Sequence, residues 1–276
     1  MSRTPESDAP DGPALRPSVT RDPWTAWRAA TPARIALGRA GVALPTDELL
    51  RFGWAHALAR DAVHWPLNAQ ALAAQLQADG WAVGCAGSAV PDRSTYLRRP
   101  DLGRQLSPAS AAALRERRAA AAVDLCFVVG DGLSALAVER HAAPLLKALR
   151  PLLEPALSLS PVVVATQARV ALGDEIGELF GARLVVVLIG ERPGLSSPDS
   201  LGVYLTHTPR RGRRDAERNC LSNVRPEGLG MGEAAQRLAW LLREALRRGL
   251  TGIGLKDESD ALPLSTAGAP ASLRDA

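Results

Sequence analysis

The sequence predicts an α/β protein in which a parallel sheet, with helices on both faces, follows a mostly helical N-terminal region. Short apolar segments alternate with helical segments in the second half of the chain, as they do in strand–helix–strand units. The clearest apolar segment, residues 184–190, is a run of mostly β-branched residues that ends at a turn containing Pro193 and Gly194. Such a run is typical of a parallel strand buried on both faces. The domain that contains it is therefore predicted to be Rossmann-like.

The N-terminal part of the chain divides into a predicted tail and a predicted helical region. Residues 1–21 are rich in Pro, Ser and Asp. They cannot bury enough apolar surface to offset the entropy of ordering them, so a disordered tail is expected. Residues 22–105 are expected to be mostly helical. Capping signals and apolar spacing predict helices that begin at residue 22 and that cover residues 45–59 and 68–79.

The predicted Rossmann-like domain spans residues 106–255. Its predicted strands are 123–129, 161–165, 184–190 and 201–206. Its predicted helices are 107–122, 134–150, 173–181 and 232–248. Residues 256–276 are rich in Asp, Ser, Pro and Ala, and a second flexible tail is expected there.

The composition is that of a globular protein and gives no sign of secretion or of membrane spanning. Of the 276 residues, 46% are apolar and 22% are charged, and the net charge is only +4, which does not require a nucleic-acid partner. Neither a signal-peptide segment nor a run of 18 apolar residues is found. The three cysteines lack C-x-x-C spacing, and the four histidines lie in separate segments. We therefore expect a cytoplasmic protein without disulfides or a protein-ligated metal.

A glycine-rich turn, residues 130–134, lies between a predicted strand and a predicted helix. Glycines allow close approach of a ligand to the backbone, and a helix N-terminus favours an anion. A phosphate site in a stand-alone nucleotide-binding protein is one interpretation, although the turn is neither a G-x-G-x-x-G nor a Walker sequence. A tight strand-to-helix turn with Ser134 as the helix N-cap is the other.

An arginine-rich segment, residues 210–218, is the densest basic cluster of the chain. It could contact nucleic acid, but Asp215 and Glu217 reduce its net positive charge. Tyr204 is the only aromatic residue close to it in sequence. A solvated loop or a docking surface for an acidic partner is favoured instead.

Two side chains in the second half are candidate site residues with competing interpretations. Glu191 directly follows the strand 184–190, and the carboxyl ends of strands are where open α/β sheets bind ligands. A salt bridge to Arg192 or Arg169 would equally explain a glutamate there. Cys220 could be a small buried hydrophobe, as many free cysteines are.

Residues 168–195, ARVALGDEIGELFGARLVVVLIGERPGL, and residues 218–223, RNCLSN, closely resemble the small subunit of adenosylcobalamin-dependent ethanolamine ammonia-lyase. Further matching segments occur in the same order along roughly residues 22–255. They include Ala33–Ile35, Gly38–Gly41, Leu49–Phe52, Arg99–Asp101 and Asp131–Ser134.

The resemblance implies a helical N-terminal part, a Rossmann-like domain and a role as a non-catalytic subunit. Enzymes of this family convert ethanolamine to acetaldehyde and ammonia with adenosylcobalamin, which carries the radical chemistry. The substrate and that chemistry belong to a large subunit with a TIM-barrel fold. This chain would then contribute cofactor contacts to a hetero-oligomer and no catalytic residue.

The resemblance also implies which residues contact the corrinoid. The matching positions are Val170 after strand 161–165, Glu191 after strand 184–190, and Cys220 in the segment beyond. Val170 would give an apolar contact, Glu191 would accept hydrogen bonds from the amides on the corrin rim, and Cys220 would add a polarisable contact. Val170 and Glu191 are expected to follow neighbouring strands of the sheet.

The chain lacks the Asp-x-His-x-x-Gly motif by which other cobalamin proteins place a histidine on cobalt. The resemblance accordingly implies a base-on cofactor, with its own dimethylbenzimidazole as the lower ligand. Some relatives enter a bacterial microcompartment by an amphipathic N-terminal helix, and residues 1–21 do not show one. The resemblance leaves encapsulation open, and it assigns no role to residues 210–218.

Overall fold

The computed structural model describes residues 19–118 and 121–259. Most of the predicted N-terminal tail and most of the predicted C-terminal tail lie outside the described residues. The chain divides into two compact units, of which the first ends at Ala57 and the second begins at Leu58.

The first unit consists of a short 3-10 helix, Pro23–Ala30, and the beginning of helix α1, Thr46–His64. The Asp22 carboxylate accepts a hydrogen bond of 2.9 Å from the Trp24 N–H, which confirms the predicted helix start. Among the described residues of this unit only Pro45 and Ala55 are buried. Its exposed large apolar side chains are Val19, Trp24, Trp27, Val42, Leu44, Leu49, Leu50, Phe52 and Trp54. The described part of this unit, residues 19–57, therefore has no hydrophobic core of its own.

Within the described residues, the second unit contains one six-stranded sheet. Its strands are β1 Val83–Gly87, β2 Leu125–Gly130, β3 Val162–Thr166, β4 Leu184–Gly190, β5 Leu201–His207 and β6 Arg218–Val224. They lie in the order β1-β3-β2-β4-β5-β6. The first four of these are parallel, whereas β5 is antiparallel to β4 and β6 is antiparallel to β5. The α/β class is confirmed.

The prediction of a purely parallel sheet is wrong, because the sheet is mixed. Only residues 191–200 connect β4 to β5, and they contain no helix. A parallel partner needs a crossover of a dozen or more residues. The chain therefore turns back beside β4, and the same argument applies to the short connection from β5 to β6.

The prediction of a mostly helical region over residues 22–105 is correct only in part, because β1 lies inside it. This strand, Val-Gly-Cys-Ala-Gly, contains two glycines and one β-branched residue, so its sequence carries a weak strand signal. It becomes a strand by pairing with β3, in register from Val83 opposite Val162.

Helices cover both faces of the parallel strands, as predicted. They are α2 Ala69–Ala78, α3 Arg93–Arg98, α4 Pro108–Glu116, α5 Ala135–Leu149, α6 Leu172–Phe180 and α7 Met231–Arg248. Side chains of α2, α5 and α7 pack with one face of the sheet, which includes Phe127 and Val186. Side chains of α4 and α6 pack with the other face, which includes Val128 and Val187. Helix α4 is shorter than the predicted 107–122.

No helix of the described residues covers one face of β5 and β6. On the face toward α7, Val203, Leu221 and Val224 are buried. On the opposite face, which α6 covers at the parallel strands, Tyr204 is half-buried and Cys220 and Ser222 are exposed. We call this surface the open face.

A buried ion pair joins α6 to β6 beneath this part of the sheet. Arg218 donates to both carboxylate oxygens of Asp174, each at 2.6 Å, and to the Thr206 hydroxyl at 2.8 Å. The side chains of Arg218 and Asp174 are only 2% and 1% exposed. Since both charges are desolvated, each depends on the other for compensation.

Removing one partner of this pair is expected to destabilise the fold. Arg218→Met should lower the free energy of unfolding by about 3–5 kcal/mol, because it leaves the Asp174 carboxylate buried and uncompensated. Urea unfolding measures the change. The double variant Arg218→Met with Asp174→Leu should recover much of the loss. A loss below about 1 kcal/mol in the single variant would contradict this role of the pair.

Candidate ligand site on the open face of the sheet

Glu191 directly follows β4 and is fixed by groups from two other segments. Its N–H donates to the Ser200 carbonyl at 2.9 Å. Its carboxylate accepts hydrogen bonds from the Ser200 hydroxyl, from the Ser222 hydroxyl at 2.6 Å and from the Asn223 N–H at 3.1 Å. These donors, and not Arg192 or Arg169, hold the carboxylate, so the salt-bridge interpretation is wrong.

Gly202 on β5 provides the space in which the Glu191 side chain lies. A Cβ at Gly202 would be 3.0 Å from both Cγ and Oε1 of Glu191, and 3.1 Å from Cε2 of Tyr204. Any larger residue would push the carboxylate away from the sheet. The glycine therefore lets Glu191 cross β5 and reach Ser222 on β6.

Cys220 on β6 is paired in register with Tyr204 on β5. Cys220 is exposed, which corrects its interpretation as a small buried hydrophobe. Although the residue is exposed, its thiol lies against Tyr204. This partial desolvation and the nearby Glu191 carboxylate raise the pKa of Cys220, while a hydrogen bond with Tyr204 opposes them. Cys220 is thus a neutral, polarisable surface group at pH 7 rather than a nucleophile.

Val170 lies between β3 and α6, half-buried against the core under α6. Asp131 orders the start of this connection, since its carboxylate accepts from the N–H groups of Gln167 at 2.9 Å and Ala168 at 2.8 Å. Gln167 has a φ of +54°, which few non-glycine residues adopt without such support. Burial raises the pKa of Asp131, and the two backbone donors oppose that shift.

The structure brings two of the three sequence-predicted contacts together and sets the third apart. Glu191 and Cys220 both belong to the open face, whereas Val170 follows β3. Because β2 lies between β3 and β4, the expectation that Val170 and Glu191 follow neighbouring strands is wrong. Neighbouring strands are about 4.8 Å apart. A ligand that contacts both Val170, which follows β3, and Cys220, which lies on β6, must therefore span about 20 Å.

The glycine-rich turn, residues 130–134, is packed against the end of β4. Leu133 donates from its N–H to the Gly190 carbonyl at 2.9 Å, and a Cβ at Gly132 would be 2.2 Å from the same oxygen. Ser134 caps α5 by accepting from the Ala137 N–H at 3.2 Å. The turn interpretation is confirmed, and the buried Asp131 carboxylate disfavours a phosphate bound by the N–H groups of this turn.

The arginine-rich segment is largely neutralised within the chain. Arg211 pairs with Glu175, Arg213 pairs with Glu217, and Arg218 pairs with Asp174. These internal pairs give no support to a nucleic-acid surface. Across residues 19–118 and 121–259 there is no group of three or more His, Cys, Asp or Glu that could hold a metal ion. No helix in the same part of the chain is long and apolar enough to cross a membrane.

Comparison with known proteins identifies the family. The family model described as ethanolamine ammonia-lyase light chain (EutC) matches residues 21–256. The chain belongs to this family. A relative from Ralstonia nicotianae, named ethanolamine ammonia-lyase small subunit, is 56% identical over 254 residues, which are 91% of this chain and 94% of the relative. Relatives with the same name are 56% identical over 257 residues in Azotobacter vinelandii (92% and 95%) and 57% identical over 245 residues in Bradyrhizobium diazoefficiens (88% and 94%).

Sequence reasoning missed four residues of the site in this light-chain sequence. They are Ser200, Gly202, Tyr204 and Ser222. Ser222 lies within residues 218–223, which carry the family resemblance, so its identity was a signal but its position was not. Their approach to Glu191 depends on the antiparallel return of β5 and β6, which the sequence pattern did not predict.

Asp131→Asn is expected to loosen the connection that carries Val170. An amide offers one acceptor oxygen where the carboxylate offers two, so one of the Gln167 and Ala168 N–H groups loses its partner at a cost of about 1–3 kcal/mol. Hydrogen exchange should become faster at these two amides. Asp124→Asn is the matched control, since Asp124 caps the Ser158 N–H near the start of β2. Equal protection of the two amides in both variants would contradict this role of Asp131.

Proposed function

We propose that this chain is the cofactor-binding small subunit of an ethanolamine ammonia-lyase, which converts ethanolamine to acetaldehyde and ammonia. In this proposal it binds adenosylcobalamin jointly with a large TIM-barrel subunit, and the large subunit binds ethanolamine. Family membership supports the complex. The observation that carries the cofactor assignment is the fixed Glu191 carboxylate at the edge of the open face.

The residues present fit a corrinoid. A carboxylate has about four acceptor positions, and three donors from the chain occupy Glu191, which leaves capacity for an amide of the corrin rim. Cys220 and Ser222 present small, exposed side chains on the open face beside it. A broad, flat ring could therefore approach the sheet, and Cys220 and Val170 would contact it.

In this proposal the residues of this chain bind the cofactor and orient it. When bound, adenosylcobalamin would supply hydrogen abstraction through homolysis of its cobalt–carbon bond. Glu191 fixes the rotation of the ring through a directional hydrogen bond. Cys220 and Val170 exclude water from the surfaces they cover. No proton transfer is assigned to this chain, since the thiol of Cys220 stays protonated at neutral pH.

The first unit supplies the proposed surface for the large subunit. Trp24, Trp27 and Trp54 are 67%, 64% and 69% exposed, and several large apolar side chains exposed in one small unit favour an interaction site. A unit without a core gains its stability by packing on a partner. Since the relatives are named as small subunits, the large subunit is the proposed occupant. The assembly is placed in the cytoplasm, where the free cysteines suit a reducing compartment.

Reconstitution tests the proposed function. The isolated chain with adenosylcobalamin and ethanolamine should release no acetaldehyde, and activity should appear when the large subunit is added. Coupled reduction of acetaldehyde by alcohol dehydrogenase measures the rate. The large subunit with cofactor alone is the control, and it should be inactive. Turnover by this chain alone, or full turnover without it, would refute the division of roles.

Glu191→Ala should weaken corrinoid binding in the assembled complex. Loss of a hydrogen bond to a charged group costs about 1.5–3 kcal/mol, which corresponds to about a tenfold to 150-fold rise in Kd. Titration followed by corrin absorbance gives the value. Glu244→Ala is the matched control, because Glu244 pairs with Arg247 on α7 at the other face of the sheet. An unchanged Kd for Glu191→Ala would count against the cofactor assignment.

A further inference from the structure

Two arginines lie against one tyrosine near the end of β3. The Arg93 guanidinium carbon is 4.6 Å from the centre of the Tyr96 ring, and that of Arg169 is 4.1 Å from it. Tyr96 is fully buried and donates its hydroxyl proton to the Ala168 carbonyl at 2.8 Å. We call Arg93, Tyr96 and Arg169 the arginine–tyrosine cluster. Cation–π contact holds both guanidinium groups in place without using their N–H donors.

The cluster contains donors that the protein does not use. Arg169 Nη2 donates to the Tyr96 carbonyl at 3.2 Å, and Arg93 donates from Nε to the Val63 carbonyl and from Nη1 to the Gly132 carbonyl. Arg169 Nε and Arg93 Nη2 are buried and have no hydrogen-bond partner among the described residues. A buried donor without a partner costs about 1–3 kcal/mol, so its retention calls for an explanation.

The charge of the cluster is not balanced from within. Asp131 is the carboxylate nearest to Arg93, at 3.5 Å from Nη1, and it is already committed to the N–H groups of Gln167 and Ala168. Two guanidinium groups face one carboxylate, which leaves one positive charge in excess. An anionic ligand beside the half-buried Arg169 would neutralise it.

Arg169 is positioned for a ligand of the candidate site. It immediately precedes Val170, it is half-buried, and its N–H donates to the Gly103 carbonyl at 2.9 Å. A Cβ at Gly103 would be 2.9 Å from Arg169 Cγ, so the glycine allows the side chain to lie close to the 3-10 helix Leu102–Arg104. The guanidinium is therefore preorganised at the β3 end of the sheet, about 10 Å from the end of β4.

We propose that Arg169, held by Tyr96 and Gly103 and assisted by Arg93, binds a phosphodiester. Guanidinium groups match the geometry of phosphate oxygens and are the usual choice for binding them. This inference rests on the proposed function, because cobalamin carries one phosphodiester, in the nucleotide tail that hangs from one side of the corrin. Arg169 then anchors the tail at β3, while Glu191 orients the ring at β4.

Two corrinoids that differ in the tail test the inference. Cyanocobalamin contains the phosphodiester, and dicyanocobinamide lacks it together with the ribose and the base. Each is titrated into the complex of this chain with the large subunit, and the corrin absorbance is followed. Arg169→Met should raise the Kd of cyanocobalamin by about tenfold to a hundredfold and change that of dicyanocobinamide less than twofold. If dicyanocobinamide binds too weakly for direct titration, its competition against cyanocobalamin gives the ratio of its Kd values for variant and wild type.

The controls separate this inference from the proposed function. Arg98→Met alters a neighbouring arginine that donates only to the Ser94 carbonyl, and it should leave both Kd values unchanged. Arg169→Lys keeps the positive charge but loses the planar guanidinium. It should show a smaller loss of affinity, again confined to cyanocobalamin. This variant replaces Arg169→Met in the test if the methionine variant does not assemble with the large subunit. An equal effect on both corrinoids, or none on either, would overturn the inference alone. A wild-type complex that binds neither corrinoid would overturn the proposed function with it.

Discussion

Residues 191–200 are too few to carry the chain across the sheet after β4, and this constraint decides where the candidate site lies. Because β5 must return beside β4, Ser200 and Gly202 come next to Glu191. Because β6 then returns beside β5, Ser222 reaches the same carboxylate. The antiparallel pair carries no crossover helix on the face shared with α6. One short connection thus produces both the open face and the group that is fixed at its edge.

The features that sequence predicted are those that depend on neighbours in the chain. The buried run of β4, the capping of α5 by Ser134 and the position of Glu191 at a strand end all follow from local patterns. The features it missed depend on strand order. The sequence of β1 is poor in strand-forming residues, and that of β6, Arg-Asn-Cys-Leu-Ser-Asn-Val, lacks the alternation of apolar and polar residues that marks a strand. The partners Asp174 and Arg218 lie 44 positions apart, so no local pattern connects them.

Some buried charges of the second unit are compensated within the chain, and others are not. Arg218 has a bidentate carboxylate, and Asp131 accepts two backbone donors, so both are compensated inside the chain. Around Tyr96 that compensation is incomplete, since two guanidinium donors have no acceptor among the described residues. At the other end of the same sheet edge, Glu191 is an acceptor with unused capacity. The two ends therefore offer opposite polarity to one elongated ligand.

The first unit has a consequence for how the protein exists in a cell. Its tryptophans and leucines face water when the chain is by itself, so newly made copies are open to aggregation and to proteases until they are covered. We expect the abundance of this polypeptide to follow the supply of whatever covers that surface, with surplus copies degraded. Synthesis matched to that of the covering partner would then be a requirement of the fold.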